Sequence, residues 1–241
     1  MSRKSIPRYH KKIILASSLG TAFEWYDFYL YGTLAGILGQ HFLSGYNPTA
    51  DFIVTLMLFA VGFVVRPFGA LFFGRLGDMV GRKHTFLVTI LIMGLSTFII
   101  GLLPTYDAIG VAAPILLIAL RMLQGLAMGG EYGGAATYVA EHAPPDQRGR
   151  YTGWIQVTAS VGLLLSLLVT NGVRWLIGEE AFFAWGWRIP FLASMLLLGF
   201  SIWLRMQLNE SPLFMQLKAD GLVTAMPLLD SFAKWSNLKE V

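Results

Sequence analysis

The chain has 241 residues, 55% of them hydrophobic and only 13% charged, against about 25% charged in an ordinary soluble domain. That balance excludes a disordered chain, which needs low hydrophobicity and high charge, and a soluble fold of this size would have no core able to hide so much apolar surface. Zero cysteines exclude a disulfide scaffold, a thiolate metal site and a Cys nucleophile; the net charge of +4 is accounted for by where the basic residues stand, which makes a nucleic-acid partner improbable.

A membrane-spanning helix needs about 20 mostly apolar residues. Six such stretches are predicted: Ile13–Gly39, Phe52–Phe73, Thr85–Leu103, Ile109–Tyr138, Trp154–Val173 and Ile189–Gln207. The breaks between them are polar or turn-rich: His41–Asp51, Arg75–His84, Pro104–Asp107, Glu141–Arg150 and Arg174–Arg188. The first stretch contains Glu24 and Asp27 and lacks a small-residue cleavage site, so it does not read as a signal peptide. Basic residues gather on alternate sides: Arg3, Lys4, Arg8, Lys11 and Lys12, then Arg75, Arg82 and Lys83, then Arg148 and Arg150, then the tail from Arg205 with Lys218, Lys234 and Lys239. The positive-inside rule therefore places both termini in the cytoplasm. The expected organisation is a basic N-terminus over 1–12, a six-helix bundle over 13–207, and a cytoplasmic segment over 208–241 with one short amphipathic helix.

Ionisable groups inside a span are costly and mark function by default. Five stand there: Glu24 and Asp27 in span 1, Arg66 in span 2, and Arg121 and Glu131 in span 4. Gly20, Glu24, Asp27 and Tyr31 share one helix face. Glu24 and Arg121 are each about 16–18 Å deep, at similar height on different helices. In span 4, Arg121, Gln124, Met128 and Glu131 form one stripe, beside a small-residue line of Gly125, Gly129 and Gly133 that permits close helix contact. Three acids face two arginines, so if both arginines pair with acids one acid lacks a basic partner, and an unpaired buried carboxylate tends to be protonated. Asp27 and Glu24 are the candidates for proton coupling; a static network of all three acids is the competing reading. Arg121, always charged, suits an anionic substrate or a buried salt bridge. Arg66, followed by the helix-kinking Pro67, reads equally as an ion-pair partner or a substrate-facing group. The polar helices are the first and fourth, which agrees with a 3+3 inverted repeat.

Between spans 2 and 3 lies Gly74-Arg75-Leu76-Gly77-Asp78-Met79-Val80-Gly81-Arg82-Lys83, read here as a loop. A carboxylate at the end of span 2 opposes the helix dipole and needs a cation nearby. The segment resembles the characteristic loop of the major facilitator superfamily, with Met79 departing from the first basic position. Three further segments agree in order: Arg121-Met-Leu-Gln124-Gly125, Pro145-Asp-Gln-Arg148-Gly149-Arg150, and Asn209-Glu210-Ser211-Pro212. Phe23-Glu24-Trp25-Tyr26-Asp27, Val65-Arg66-Pro67-Phe68-Gly69 and Gly130-Glu131-Tyr132-Gly133-Gly134 are similar to the metabolite:proton symporters, carriers of α-ketoglutarate, shikimate, citrate, proline and betaine.

The resemblance implies an all-α membrane protein, six transmembrane helices forming one bundle, the N-terminal half of a major facilitator fold in a bacterial inner membrane. It implies proton-coupled symport of a small organic acid or zwitterion by alternating access. Candidate substrate-binding residues are Arg121, Arg66, Tyr31, Gln124 and Glu131. A latch toward a second bundle would comprise Gly74, Asp78, Gly81, Arg82, Lys83, Arg148 and Arg150, with Asp78 facing Arg82 or Arg150. The partners expected are a small metabolite, protons, the bilayer, and either the missing second bundle or a second copy. The alternative is a six-span protein without transport of its own: a partial carrier, a scaffold or a channel-like protein. No cofactor, metal or enzyme activity is expected: metal, nucleotide and hydrolase motifs are absent, and His10, His41, His84 and His142 show no ligand spacing.

Overall fold

A computed structural model describes residues 8–43, 47–207, 210 and 212–221, without the side chains of 8–17, 48, 212 and 213. The basic N-terminal side chains, Asn209, Ser211, Lys234 and Lys239 lie outside the described residues. The long helices are α1 (Arg8–Thr33), α3 (Pro48–Val64), α4 (Arg66–Val80), α5 (Arg82–Leu102), α7 (Ala112–His142), α8 (Arg148–Ile177) and α10 (Arg188–Met206). Short helices fill the connections: α2 (Ala35–Phe42), α6 (Tyr106–Ile109), α9 (Glu179–Ala181) and, in the tail, α11 (Pro212–Ala219). Among the described residues, five helical runs are long and apolar enough to cross a membrane: 49–80, 82–102, 112–142, 145–177 and 188–206. The helix opening the chain carries Glu24 and Asp27 and is less apolar.

Two expected spans are each broken once. The helix is interrupted at Leu34 between α1 and α2, and at Val65 between α3 and α4, where Pro67 in the first turn of α4 has no N–H to give to the ladder, although Leu38 N still donates to Leu34 O and Gly69 N to Val65 O. The segment Gly74–Val80, expected to be loop, is helical. α4 runs on to Val80, and Gly81 alone makes the turn into α5, at φ 114°, a conformation closed to most side chains. A loop read from glycines and charges is thus a helix end, because a span projecting beyond the bilayer needs no apolar surface.

The helices pair as α1 with α8, α4 with α7, and α5 with α10. Numbering the spans 1 to 6, these are 1–5, 2–4 and 3–6. Exchanging span 1 for 4, 2 for 5 and 3 for 6 returns the same set, which is the packing of a 3+3 repeat. Glycines bring each pair together, since helices in lipid associate by close backbone packing rather than by hydrophobic exclusion. A Cβ at Gly129 would strike the carbonyl of Arg66, and one at Gly125 the carbonyl of Gly62; one at Gly162 would lie 2.7 Å from Ala22 O, and one at Gly101 2.9 Å from Phe191 Cβ. The expected small-residue line on span 4 is therefore a seam against α3 and α4, except Gly133, which faces open space. Tyr26, Leu30, Leu38, Phe42, Trp187 and Phe191 fill the core at one end, and Tyr26 Oη donates to Pro190 O at 2.8 Å. Outward, Leu196 is 78% exposed and Leu168 71%, a surface that only lipid solvates well.

Candidate functional site

Three polar assemblies occupy the bundle. The first joins α1, α5, α7 and α10. Arg205 donates through Nη2 to Glu24 Oε1 at 3.4 Å and pairs with Glu131 Oε1; Thr89 Oγ1 donates to Glu131 Oε2 at 2.7 Å. All three charged side chains are buried, and the Arg205 guanidinium lies over the Phe86 ring at 4.6 Å. Gly20 makes the room: a Cβ there would be 2.8 Å from Arg205 Nε. Placing Arg205 among the cytoplasmic anchors is thereby corrected, as is the ratio of three acids to two arginines. A cation near the end of a span normally snorkels outward; here two carboxylates and a side-chain-free face turn it inward.

The second assembly surrounds Arg121, which is fully buried. Its Nη1 donates to Gln124 Oε1 at 2.8 Å and its Nη2 to Phe28 O at 3.4 Å. Its guanidinium lies over Phe28 (4.2 Å), Tyr31 (4.5 Å) and Phe59 (4.9 Å). Gln124 Nε2 donates on to Thr97 Oγ1 at 2.8 Å, and the Thr97 hydroxyl reaches the Asp27 carboxyl. Asp27 is 6% exposed, and its Oδ1 has no hydrogen-bond partner.

The third is a cleft of about 450 Å³ lined by Trp25, Phe63, Arg66, Pro67, Ala70, Met128, Gly129, Tyr132 and Gln156. Arg66 is half-buried. Its guanidinium lies over Phe63 (4.1 Å), Phe28 (4.3 Å) and Trp25 (5.3 Å), and its Nη2 donates to the weak acceptor Met128 Sδ at 2.9 Å. Phe28 thus carries both guanidinium groups on one ring. Neither Arg66, Arg121 nor Asp27 has an ion-pair partner among the described residues.

Of the residues expected at the substrate site, Arg66 lines the cleft. Arg121, Gln124 and Tyr31 stand behind it, linked to it through Phe28, and Glu131 belongs to the Arg205 assembly. Glu24 and Asp27 share a helix face but serve different networks. Arg205, Phe28 and Thr97 were not singled out from the sequence: a span-end arginine, one phenylalanine in an aromatic run and one hydroxyl in an apolar span carry no distinctive pattern.

Among the latch residues, Asp78 pairs with Arg82 at 2.8 Å and the Arg82 side chain fills the space over Gly77. Glu210 accepts from the backbone N–H of Arg82 at 2.9 Å and of Lys83 at 3.2 Å, capping α5. Lys83 Nζ donates to Met206 O at 3.0 Å at the end of α10. Gly74 faces open space, and Arg148 and Arg150 are exposed. Among the described residues no group of three or more His, Asp or Glu side chains could hold a metal ion.

A lipid-facing helical bundle with paired and unpaired charges inside and a mostly apolar cleft carrying Arg66, Tyr132 and Gln156 has the build of a solute carrier. The profile of the sugar (and other) transporter family matches residues 12–240, and the chain belongs to that family. The chain is 46% identical over 206 residues to the glycine betaine/proline/ectoine/pipecolic acid transporter OusA of Dickeya dadantii (strain 3937), covering 86% of this chain and 41% of that one. It is 45% identical to the proline/betaine transporter of Escherichia coli (strain K12), with the same coverage, and 41% identical to the shikimate transporter of that strain, covering 86% and 47%. The xylose transporter XylE from E. coli, in a partially occluded inward-open conformation, matches with a TM-score of 0.77 at 20% identity over 89% of this chain and 53% of that one, a likeness of fold. These are transport proteins, not enzymes. The chain spans roughly two fifths to one half of the length of these relatives, which fits one bundle of a major facilitator carrier.

Proposed function

We propose that the chain supplies the N-terminal wall of a proton-coupled symporter in a bacterial inner membrane, with both termini cytoplasmic and a small carboxylate-bearing zwitterion or organic acid as solute. The observation that carries this reading is the pair of guanidinium groups over Phe28, neither paired with an acid, beside a buried carboxyl without a cation. Such a cluster carries uncompensated positive charge in a medium of low dielectric, where an anion is strongly attracted. Arg66 borders the cleft and offers its planar fork to a carboxylate. The half-buried Trp25 and the exposed Tyr132 ring offer π faces to a quaternary or secondary ammonium. The names of the proline and betaine carriers among the relatives support the same solute class.

Asp27 is the coupling group in this reading. A proton on Oδ1 removes a negative charge and raises the positive potential around Arg66 and Arg121, so the solute carboxylate binds more tightly. Linkage makes the effect reciprocal: bound solute favours the protonated carboxyl. Glu24, tied to Arg205, is the second proton-accepting candidate. Rocking of this bundle against a second one would expose the loaded cleft to each side in turn.

Glycine betaine binding to the purified protein in nanodiscs, followed by Trp25-sensitive fluorescence, tests the reading. Affinity should rise as pH falls, Asp27→Asn should hold the high-affinity state at every pH, and Arg66→Gln should weaken binding at least about tenfold, the order of a lost charge-assisted hydrogen bond. Binding that ignores pH, or survives in Arg66→Gln, contradicts it.

A further inference from the structure

Thr97 sits fully buried at a junction with more suitors than it has protons. Arg121 can only donate, so the oxygen of the Gln124 amide faces it and the nitrogen faces Thr97, which fixes the amide orientation. The Thr97 hydroxyl therefore accepts from Gln124 Nε2 at 2.8 Å and has one proton to give. Two acceptors compete for it: the carbonyl of Met93, one helical turn back at 3.0 Å, and the Asp27 carboxyl.

We propose that Thr97 and Gln124 are positioning residues forming a hydrogen-bond relay that carries the state of Asp27 to the Arg121 guanidinium. The proposal rests on Asp27 being the coupling carboxyl. While Asp27 is a carboxylate, Thr97 donates to it, its lone pair holds Gln124, and Gln124 holds Arg121. When Asp27 takes a proton, its O–H becomes a donor. Thr97 rotates its own proton to the Met93 carbonyl and accepts from Asp27 with one of its two lone pairs. The turn swings the lone pair that held Gln124 away from the amide N–H, which weakens that anchor and loosens the hydrogen bond by which Gln124 holds Arg121 beside the ring it shares with Arg66. No bond to carbon, nitrogen or oxygen is made or broken within the relay; only a hydroxyl turns.

The surroundings leave this route unchallenged by other charges. On α1 the neighbouring titratable groups are Glu24, Tyr26 and, against Arg121, Tyr31, and Glu24 is engaged by Arg205 of α10. α7 contributes Arg121 through Gln124, and Glu131, which is held by Arg205 and Thr89. α4 contributes Arg66 across Phe28. The buried faces of α5 and α8 present no charged residue.

Infrared difference spectroscopy of the 241-residue protein in nanodiscs, titrated with pH and assigned with Asp27→Asn, reads the carboxyl directly. Expected is a protonated-carboxyl band that vanishes in Asp27→Asn and whose midpoint is displaced by about one pH unit or more in Thr97→Val, the tenfold effect of one hydrogen bond to a charged group. Gln124→Met should displace it in the same direction, and Thr97→Ser, which keeps the hydroxyl, should restore it. A titrating Asp27 band that is indifferent to both Thr97→Val and Gln124→Met overturns the relay while leaving Asp27 as the coupling group. Absence of any titrating Asp27 band removes both the coupling assignment and the relay. Melting temperatures of each variant identify displacement caused by misfolding, and a Thr97→Ser variant that folds but fails to restore the midpoint also counts against the relay.

Discussion

Arg205 shows how much a single side chain can decide in this bundle. It is the only described cation within ion-pair distance of Glu24 and Glu131. Removing it leaves two carboxylates facing each other in the interior, which costs far more than the pair contributed, since breaking a buried pair by deleting one partner costs about 3–5 kcal/mol. Arg205→Gln should therefore lower the melting temperature sharply, and the triple variant with Glu24→Gln and Glu131→Gln should recover most of the loss. Recovery no better than the single variant would mean that packing against Phe86, not charge balance, is what Arg205 provides. The five charges Glu24, Asp27, Arg66, Arg121 and Glu131 were legible because each interrupts an apolar run. Their pairing was not, because direction is not a sequence property: Arg205 differs from a membrane anchor by Gly20, Glu24 and Glu131, all contributed from distant parts of the chain. Likewise the stacking of two arginines on Phe28 is a consequence of three helices meeting.

Helix ends and helix contacts set the next level. The turn between α4 and α5 has one residue to spare, Gly81, and a Cβ there would both strain the backbone and meet the Glu210 carboxylate that caps α5. Gly81→Ala should destabilise by about 1–3 kcal/mol, measurable as a lowered melting temperature. Glu210→Gln should cost about 0.5–2 kcal/mol, the range of a lost cap. On the α4–α7 seam, Gly129→Leu would drive a side chain into the Arg66 carbonyl and displace the residue that lines the cleft, whereas Gly133→Leu meets open space. The first should lose both stability and glycine betaine binding, and the second should retain its melting temperature; equal loss in both would argue against the seam. The spans themselves were readable from length and hydropathy. The breaks at Leu34 and Val65 were not, since apolar residues continue through both, and the helical run to Val80 was hidden because its glycines and charges look like a loop. Glu-Ser-Pro after span 6 was recognisable as a motif, but its task of capping α5 depends on a contact between residues 128 apart in sequence.

At the scale of the whole molecule, three glycine-packed helix pairs repeat one arrangement twice over, and the charged helices are the first of each triplet. The relatives are roughly twice this length, and the cleft is bordered by α1, α3, α4, α7 and α8. Purified by itself in liposomes, the 241-residue chain is expected to bind solute but not to accumulate it, because one bundle cannot alternate access alone; robust accumulation would require a second copy to supply the facing wall. Coupling is the claim on which the functional reading turns, and it is tested most directly by glycine betaine uptake into proteoliposomes under an imposed pH gradient, using a two-bundle carrier that contains this chain, with and without Asp27→Asn. Expected is gradient-driven accumulation in the parent and none above the gradient-free level in Asp27→Asn, with solute exchange in the absence of a gradient preserved. Equal gradient-driven accumulation in both proteins would contradict it.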